Sequence, residues 1–181
     1  MFLDNRNLSK IEQRVNNLLA QSKVQSPPIP IKEIIAKLGL NVISYDLGDD
    51  VSGILVIEND KGTIGFNPKN SKVRQRFTLA HELGHYILHK QSKSEVFIDK
   101  DFIVKYRSQK PYTAVEMKQE QEANVFAATL LMPEHMLRAE LTKKDYQDMD
   151  ENEFIGAMAK VFDVSIQAMT YRIANSNLLF R

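Results

Sequence analysis

Apolar residues recur at three- and four-residue intervals from Leu8 to Gln21, where Ile11, Val15, Leu18 and Leu19 share one helical face. Ser9 and Glu12 form a capping-box pair that predicts the start of that helix. Ser26–Pro30 reads as a stiff connector, and Ile31–Leu38 as a second helix stopped by Gly39. The period then shortens to two. Asn41–Tyr45, Gly53–Ile57 and Thr63–Phe66 predict strands, the last two joined around Asn59-Asp60-Lys61-Gly62, a hairpin signal. After Asn67-Pro68 the helical period returns, with Asn70 or Ser71 to cap a long helix reaching about Lys90. Gln91–Lys110 is polar and charged except for Val96–Ile98 and Phe102–Val104, and predicts a loop or irregular hairpin. Thr113–Met132 is the next strong helix, ended by Pro133. Shorter helices follow near Glu134–Leu141, Glu153–Val161 and Ser165–Asn175. No internal repeat is visible.

Composition narrows the classes. A chain of 181 residues holds one substantial domain with room for a small appendage. Its net charge of +1 gives no overall basic field for bulk nucleic-acid or membrane binding. It has no cysteine, which excludes disulfides and thiolate metal sites. MFLDNRNLSK contains no signal-peptide core and no run approaches a membrane span, so a cytoplasmic location is expected.

The candidate chemistry is concentrated on the long helix after Asn70. His81-Glu82-Leu83-Gly84-His85 places two imidazoles four residues apart, about 5–6 Å at Cβ, where one divalent ion can take both. Three of the four histidines (His81, His85, His89) fall in this stretch. On a helical wheel the pair borders an apolar arc containing Phe77, Ala80, Leu83, Gly84, Ile87 and Leu88, as expected of ligands at the rim of a cleft. Without thiolates, nitrogen and oxygen donors of this kind suit Zn2+. Glu82 is placed to take a proton from water activated by the ion. Gly84, costly inside a helix by about 1 kcal/mol relative to alanine, predicts the close approach of a second helix carrying another ligand.

Glu120 is the expected third ligand. Ala123, Asn124, Ala127 and Leu131 share its face, and Glu122 points about 200° away, toward solvent. Glu116 is reserved for a capping box with Thr113. Asn124 could hydrogen-bond a ligand. His89 orients a ligand or caps the helix end, and His135, after Pro133, is expected at the surface. Tyr86, Tyr106 and Tyr112 are all candidates for an oxyanion donor, and nothing selects among them. An exposed strand edge such as Thr63–Phe66 is expected to receive a peptide.

Phe77-Thr78-Leu79-Ala80-His81-Glu82-Leu83-Gly84-His85, followed by Glu120-Gln121-Glu122-Ala123-Asn124-Val125-Phe126-Ala127-Ala128 and Leu130-Leu131-Met132-Pro133, resembles the ImmA/IrrE family of zinc metallo-endopeptidases. Val51-Ser52-Gly53 is also similar, and the likeness covers roughly residues 10 to 178. It implies an α+β fold: a zincin-like metallopeptidase domain of helices and a small, largely antiparallel sheet over residues 1–141. A helical, helix-turn-helix-like segment over 142–181 would pack on it. The resemblance further implies a protein substrate, a helix-turn-helix (XRE-type) transcriptional repressor, whose cleavage relieves repression of phage, mobile-element or stress genes. Both histidines, Glu82 and Glu120 match the family pattern. No sensory domain of the kind some relatives carry is expected.

Ala159–Ser165 with Ala168 and Tyr171-Arg172 has helix-turn-helix spacing, which offers DNA contact through residues 154–175. Residues 151–181 hold three acids and three bases, a poor electrostatic footprint for DNA, so packing on the domain or gripping the substrate is the favoured role. Two rivals to the peptidase stand: a DNA-binding regulator with a structural or sensory zinc site, and a module that binds a repressor without cutting it. An intact Glu82 favours catalysis, because a structural site needs no base. The pattern leaves the oligomeric state open.

Overall fold

Helix α1 (Asn5–Gln21) begins one turn before the Ser9–Glu12 pair in the computed structural model of the chain, which describes residues 4–90, 95–100, 113–143, 146 and 149–175. Asp4 is the cap, accepting from the Asn7 amide at 2.8 Å. A carboxylate is favoured there because it also meets the positive end of the helix dipole. Ser9 therefore lies within the helix. Ile11, Val15, Leu18 and Leu19 are the buried face, as the pattern predicts.

After α2 (Ile31–Lys37), three strands form consecutively: β1 (Asn41–Ser44), β2 (Val51–Glu58) and β3 (Lys61–Phe66). The β2–β3 turn is two residues long, Asn59 and Asp60, both with positive φ (48° and 67°) as a hairpin of primed type requires. Gly62, which completes the sequence signal, lies in β3 instead. A side chain there would run into Leu40 Cδ2.

The sheet is mixed, in the order β1-β3-β2-β4, with β1 parallel to β3 and the other pairs antiparallel. Asn67 holds the crossover from β1 to β2. Its side-chain amide donates to the Gly48 and Val51 carbonyls (2.6 and 3.3 Å), and its backbone amide donates to Ser52 O. Strand β4 (Glu95–Lys100) falls where the sequence predicts only a loop or irregular hairpin. Its ends are charged, which suits an edge strand, and β2 supplies the pairing edge that local pattern cannot reveal. The Phe102–Val104 piece lies outside the described residues. Thr63–Phe66 is also corrected: β3 is internal, paired on both sides, and offers no edge to a peptide.

Leu55, Ile57, Ile64 and Phe66 form the inner face of the sheet, and α3 (Lys72–His89), capped by Ser71, lies across it. On its other side α3 packs along α4 (Ala114–Leu131), against which α1 rests. Then come α5 (Glu134–Leu141), α6 (Glu151–Phe162) and α7 (Ile166–Ala174). Ile155, Met158, Phe162, Met169 and Ile173 of α6 and α7 belong to the same apolar cluster as α1, the sheet and α3. The α6–α7 turn is tied down by Arg76 of α3. Its Nε donates to Asp163 O (3.0 Å) and pairs with the Asp163 carboxylate (3.1 Å), while a second guanidinium nitrogen donates to Ile29 O (3.0 Å).

Arg76→Ala removes these bonds and leaves the Asp163 carbonyl without its arginine donor, while Ile29 O keeps the Ile31 amide. A loss of about 2 kcal/mol of unfolding free energy is expected in urea titrations. Stability equal to wild type would show that the arginine does not hold the turn.

Candidate metal centre

Helix α3 is the centre's foundation. His81, Glu82 and His85 are 2%, 0% and 2% exposed. Three such polar side chains sit on a buried face only if something compensates their desolvation. Much of that compensation comes from α4. Asn124 Oδ1 accepts from His81 Nδ1 at 3.1 Å. This fixes the tautomer and turns the Nε2 lone pair inward. His81 Nε2 lies 3.0 Å from His85 Nε2. Glu120 reaches in from α4, its carboxylate oxygens 3.6 Å from His81 Nε2 and 3.5 Å from His85 Nε2. His81, His85 and Glu120 thus bring one donor each to a single place.

Those separations can be compared with a metal's requirement. Bonds of about 2.0–2.1 Å at tetrahedral angles set neighbouring donors roughly 3.3–3.4 Å apart. Distances of 3.0, 3.5 and 3.6 Å bracket that value. Two inward-facing imidazole nitrogens at such range, joined by a carboxylate and no thiolate, fit a divalent ion of borderline softness. Glu120 is 26% exposed on its side chain, which makes the α4 side the more open one.

The glycine of the motif does what its position predicts. A Cβ on Gly84 would stand 3.2 Å from Ala123 Cα and 3.3 Å from Ala123 O. The approach of α4 to α3 depends on that missing methyl. The wheel centred on Glu120 needs one correction. The buried face of α4 centres on Ala123, Phe126, Ala127 and Leu130, so Glu120 and Glu122 flank it on opposite sides. Glu122 is consequently not turned to solvent. It is 18% exposed and lies 3.8 Å from His89 Nε2.

His89 stays outside the donor cluster. It is 6% exposed, and its Nε2 donates to Gln119 O at 3.1 Å, fastening the end of α3 to α4. Burial, and then the nearby His85, push its pKa down to about 4, consistent with a neutral ring. His135 is exposed, and Glu116 completes the capping box with Thr113. Tyr86 packs beneath Lys90 at the far end of the sheet, and Tyr106 and Tyr112 lie outside the described residues.

Two neighbours of the site escape sequence reasoning. Phe97 of β4 stacks on His85, with ring centroids 4.9 Å apart and planes at 24°. Gly53 of β2 presses on the helix beside Glu82. A Cβ there would meet the Thr78 methyl and come within 3.1 Å of Glu82 Oε1. A lone glycine inside an apolar strand is the available signal for such an approach. Phe97 has none, since only the β2–β4 pairing carries it to the site.

With this geometry in hand, comparison with known sequences is decisive. The profile of the IrrE N-terminal-like peptidase domain matches residues 35–174. The chain belongs to the IrrE N-terminal-like family. Domains of this family have the zincin-like fold of metallopeptidases, in agreement with the α+β architecture here. The chain is also 26% identical, over 124 residues, to an uncharacterized immunity region protein of Bacillus phage phi105, covering 68% of this chain and 69% of that one. Among solved structures it is similar to a Mycobacterium tuberculosis transcriptional regulator. There the TM-score is 0.60 and the identity 14%, over 94% of this chain and 48% of the regulator. The chain thus spans about half the regulator's length, and that likeness bears on the fold alone. No helix of the described residues is long and apolar enough to cross a membrane.

Gly84→Ala tests the helix approach. Alanine favours an isolated helix by about 1 kcal/mol, but beside Phe126 Cδ1 the crowding atoms here are Ala123 Cα and O of the α4 backbone, which cannot rotate away. A net loss of about 1–3 kcal/mol is expected in thermal unfolding, with weaker metal binding in competition titrations as Glu120 is displaced. A stabilised variant with undiminished metal affinity would refute it.

Proposed function

We propose that the protein is a zinc-dependent endopeptidase that cuts a helix-turn-helix transcriptional repressor and so relieves repression. The observation that carries this reading is the convergence of His81, His85 and Glu120 at metal-ligand separations, with a fully buried carboxylate, Glu82, on the same helix. The family supports peptidase chemistry, and a relative named for a phage immunity region supports a regulatory substrate.

In this reading His81, His85 and Glu120 hold zinc and Glu82 is the general base. Zinc bound there would polarise a peptide carbonyl and make water a competent nucleophile near neutral pH. The remaining work falls to the chain. Asn124 keeps the His81 proton on Nδ1, so that Nε2 stays available as a ligand. Glu82 accepts the proton of the attacking water at a carboxylate oxygen and passes it to the departing amine. Gly53 and Thr78 close around Glu82 and keep bulk water from its base. Substrate main chain would align with the outer edge of β4, which no described strand occupies and whose Phe97 touches His85.

DNA contact is the weaker reading. The exposed residues of α7 include Ile166, Gln167, Thr170 and Tyr171, none of them charged. Its arginine, Arg172, is turned inward to donate to Met132 O at 3.2 Å. A duplex-binding helix needs cations on its outer face.

The test incubates the purified protein with the helix-turn-helix repressor encoded in the neighbouring reading frame, with and without chelator, and identifies products by mass spectrometry. One discrete cut, abolished by chelator and restored by zinc, is expected. Glu82→Gln should keep its zinc and cleave about 10²–10⁴-fold more slowly. Full-rate cleavage by that variant would remove Glu82 from the mechanism. Glu120→Ala should lose zinc in metal analysis, and full occupancy would exclude it as a ligand.

A further inference from the structure

His81 and His85 are oriented by different means. Both are 2% exposed, and both turn Nε2 toward Glu120. His81 has its Nδ1 fixed by Asn124. His85 Nδ1 is buried and, among the described residues, has no hydrogen-bond partner. A ligating histidine ordinarily gives that proton to an acceptor, which sets both the tautomer and the plane of the ring. His85 lacks this constraint, so another contact has to hold its plane.

Three rings surround it. His81 meets it nearly edge-on, with centroids 4.7 Å apart and planes at 74°, and His89 is tilted at 5.4 Å and 57°. Phe97 is the nearly parallel one, at 4.9 Å and 24°. Turning the imidazole about its Cβ–Cγ bond would drive its edge into the phenyl face. Strand register delivers that phenyl. Phe97 pairs with Leu55, which is fully buried on the inner face of the sheet. Val96, the next residue along, pairs with Val56 and is 60% exposed on the outer face. A slip of one residue between β2 and β4 would withdraw the ring from His85.

We propose that Phe97 is the positioning residue of His85: its ring, in place of a hydrogen-bond acceptor, sets the plane in which His85 offers Nε2 to the metal. An imidazole that ligates a cation is electron-poor, and the negative face of an adjacent phenyl attracts it more strongly than it attracts the free ring. The stack therefore favours the metal-loaded form as well as the plane. Metal affinity then depends on three elements, α3, α4 and β4, and not only on the two helices that carry the donors. The inference rests on the reading of His85 as a ligand; it requires neither peptidase activity nor a substrate.

The experiment compares the intact protein with its Phe97→Leu, Phe97→Ala and Phe97→Tyr variants. Zinc affinity is read by competition with a chromophoric chelator, ligand geometry by the visible absorption of the Co2+-loaded protein, and the stack by histidine-ring NMR. Leucine keeps apolar volume without a π face, and tyrosine keeps the ring. Zinc affinity should fall about three- to tenfold in Phe97→Leu, at least as far in Phe97→Ala, and stay at the wild-type value in Phe97→Tyr. The Co2+ band should change in the leucine and alanine variants only. In metal-free wild type the ring current of Phe97 should move the His85 ring protons upfield, and Phe97→Leu should abolish that displacement. Wild-type zinc affinity and an unaltered Co2+ band in Phe97→Leu overturn the proposal. Equal losses in the leucine and tyrosine variants also overturn it, because Phe97 would then only fill space. His85→Ala separates the two levels: it should lose far more affinity than any Phe97 variant. Full zinc affinity in His85→Ala overturns the ligand reading and the proposal with it, whereas a null result confined to Phe97 overturns the proposal alone.

Discussion

The contact between Gly84 and Ala123 governs the rest of the structure. Helices ordinarily pack with axes 8–10 Å apart, held off by the side chains between them. Here a glycine faces an alanine, and the backbone of α4 sits 3.2–3.3 Å from where a Cβ would be. That approach brings a glutamate from one helix level with two histidines of the other, and puts Asn124 within hydrogen-bond range of His81. The sheet beneath α3, α1 behind α4 and the α6–α7 pair tied in by Arg76 all hold these two helices in place.

Burial gives the site its chemical character. Imidazoles and a carboxylate at almost no exposure are expensive to desolvate, and each is therefore tied to a specific neighbour or role. His81 has Asn124, and His89 has the Gln119 carbonyl. His85 has a stacked phenyl ring on one side and, among the described residues, no hydrogen-bond partner at Nδ1. The arrangement places polarity where a cation would offset its cost. The glycine at position 53 belongs to the same economy of space, since it lets a strand lie against the glutamate that would act as base.

Much of this was legible along the chain. The α1, α2, α3 and α4 patterns are strong because each buries one continuous stripe, and their boundaries fall within a few residues of expectation. The donor cluster was legible because i, i+4 spacing on a helix is a local geometric fact. Glu120 followed from the face it shares with Asn124 and from the prior claim of the cap on Glu116. Strand β4 was not legible, because an edge strand with charged ends carries no pattern of its own and forms only where a partner offers hydrogen bonds. Glu122 was misplaced for a related reason. A wheel gives angles about one axis, and which angle is buried depends on where the neighbouring helix lies.

Sequence alone therefore determined most of the elements, the family and the candidate donors, since these depend on spacing over a few residues and on side-chain chemistry. Tertiary structure decided the distances between the donors from different helices, the internal position of β3, the covering of His85 by Phe97 and the pressure of Gly53 on Glu82. Each of those joins residues far apart in the chain. Their proximity is set by how whole faces pack, a property that no local window of sequence contains.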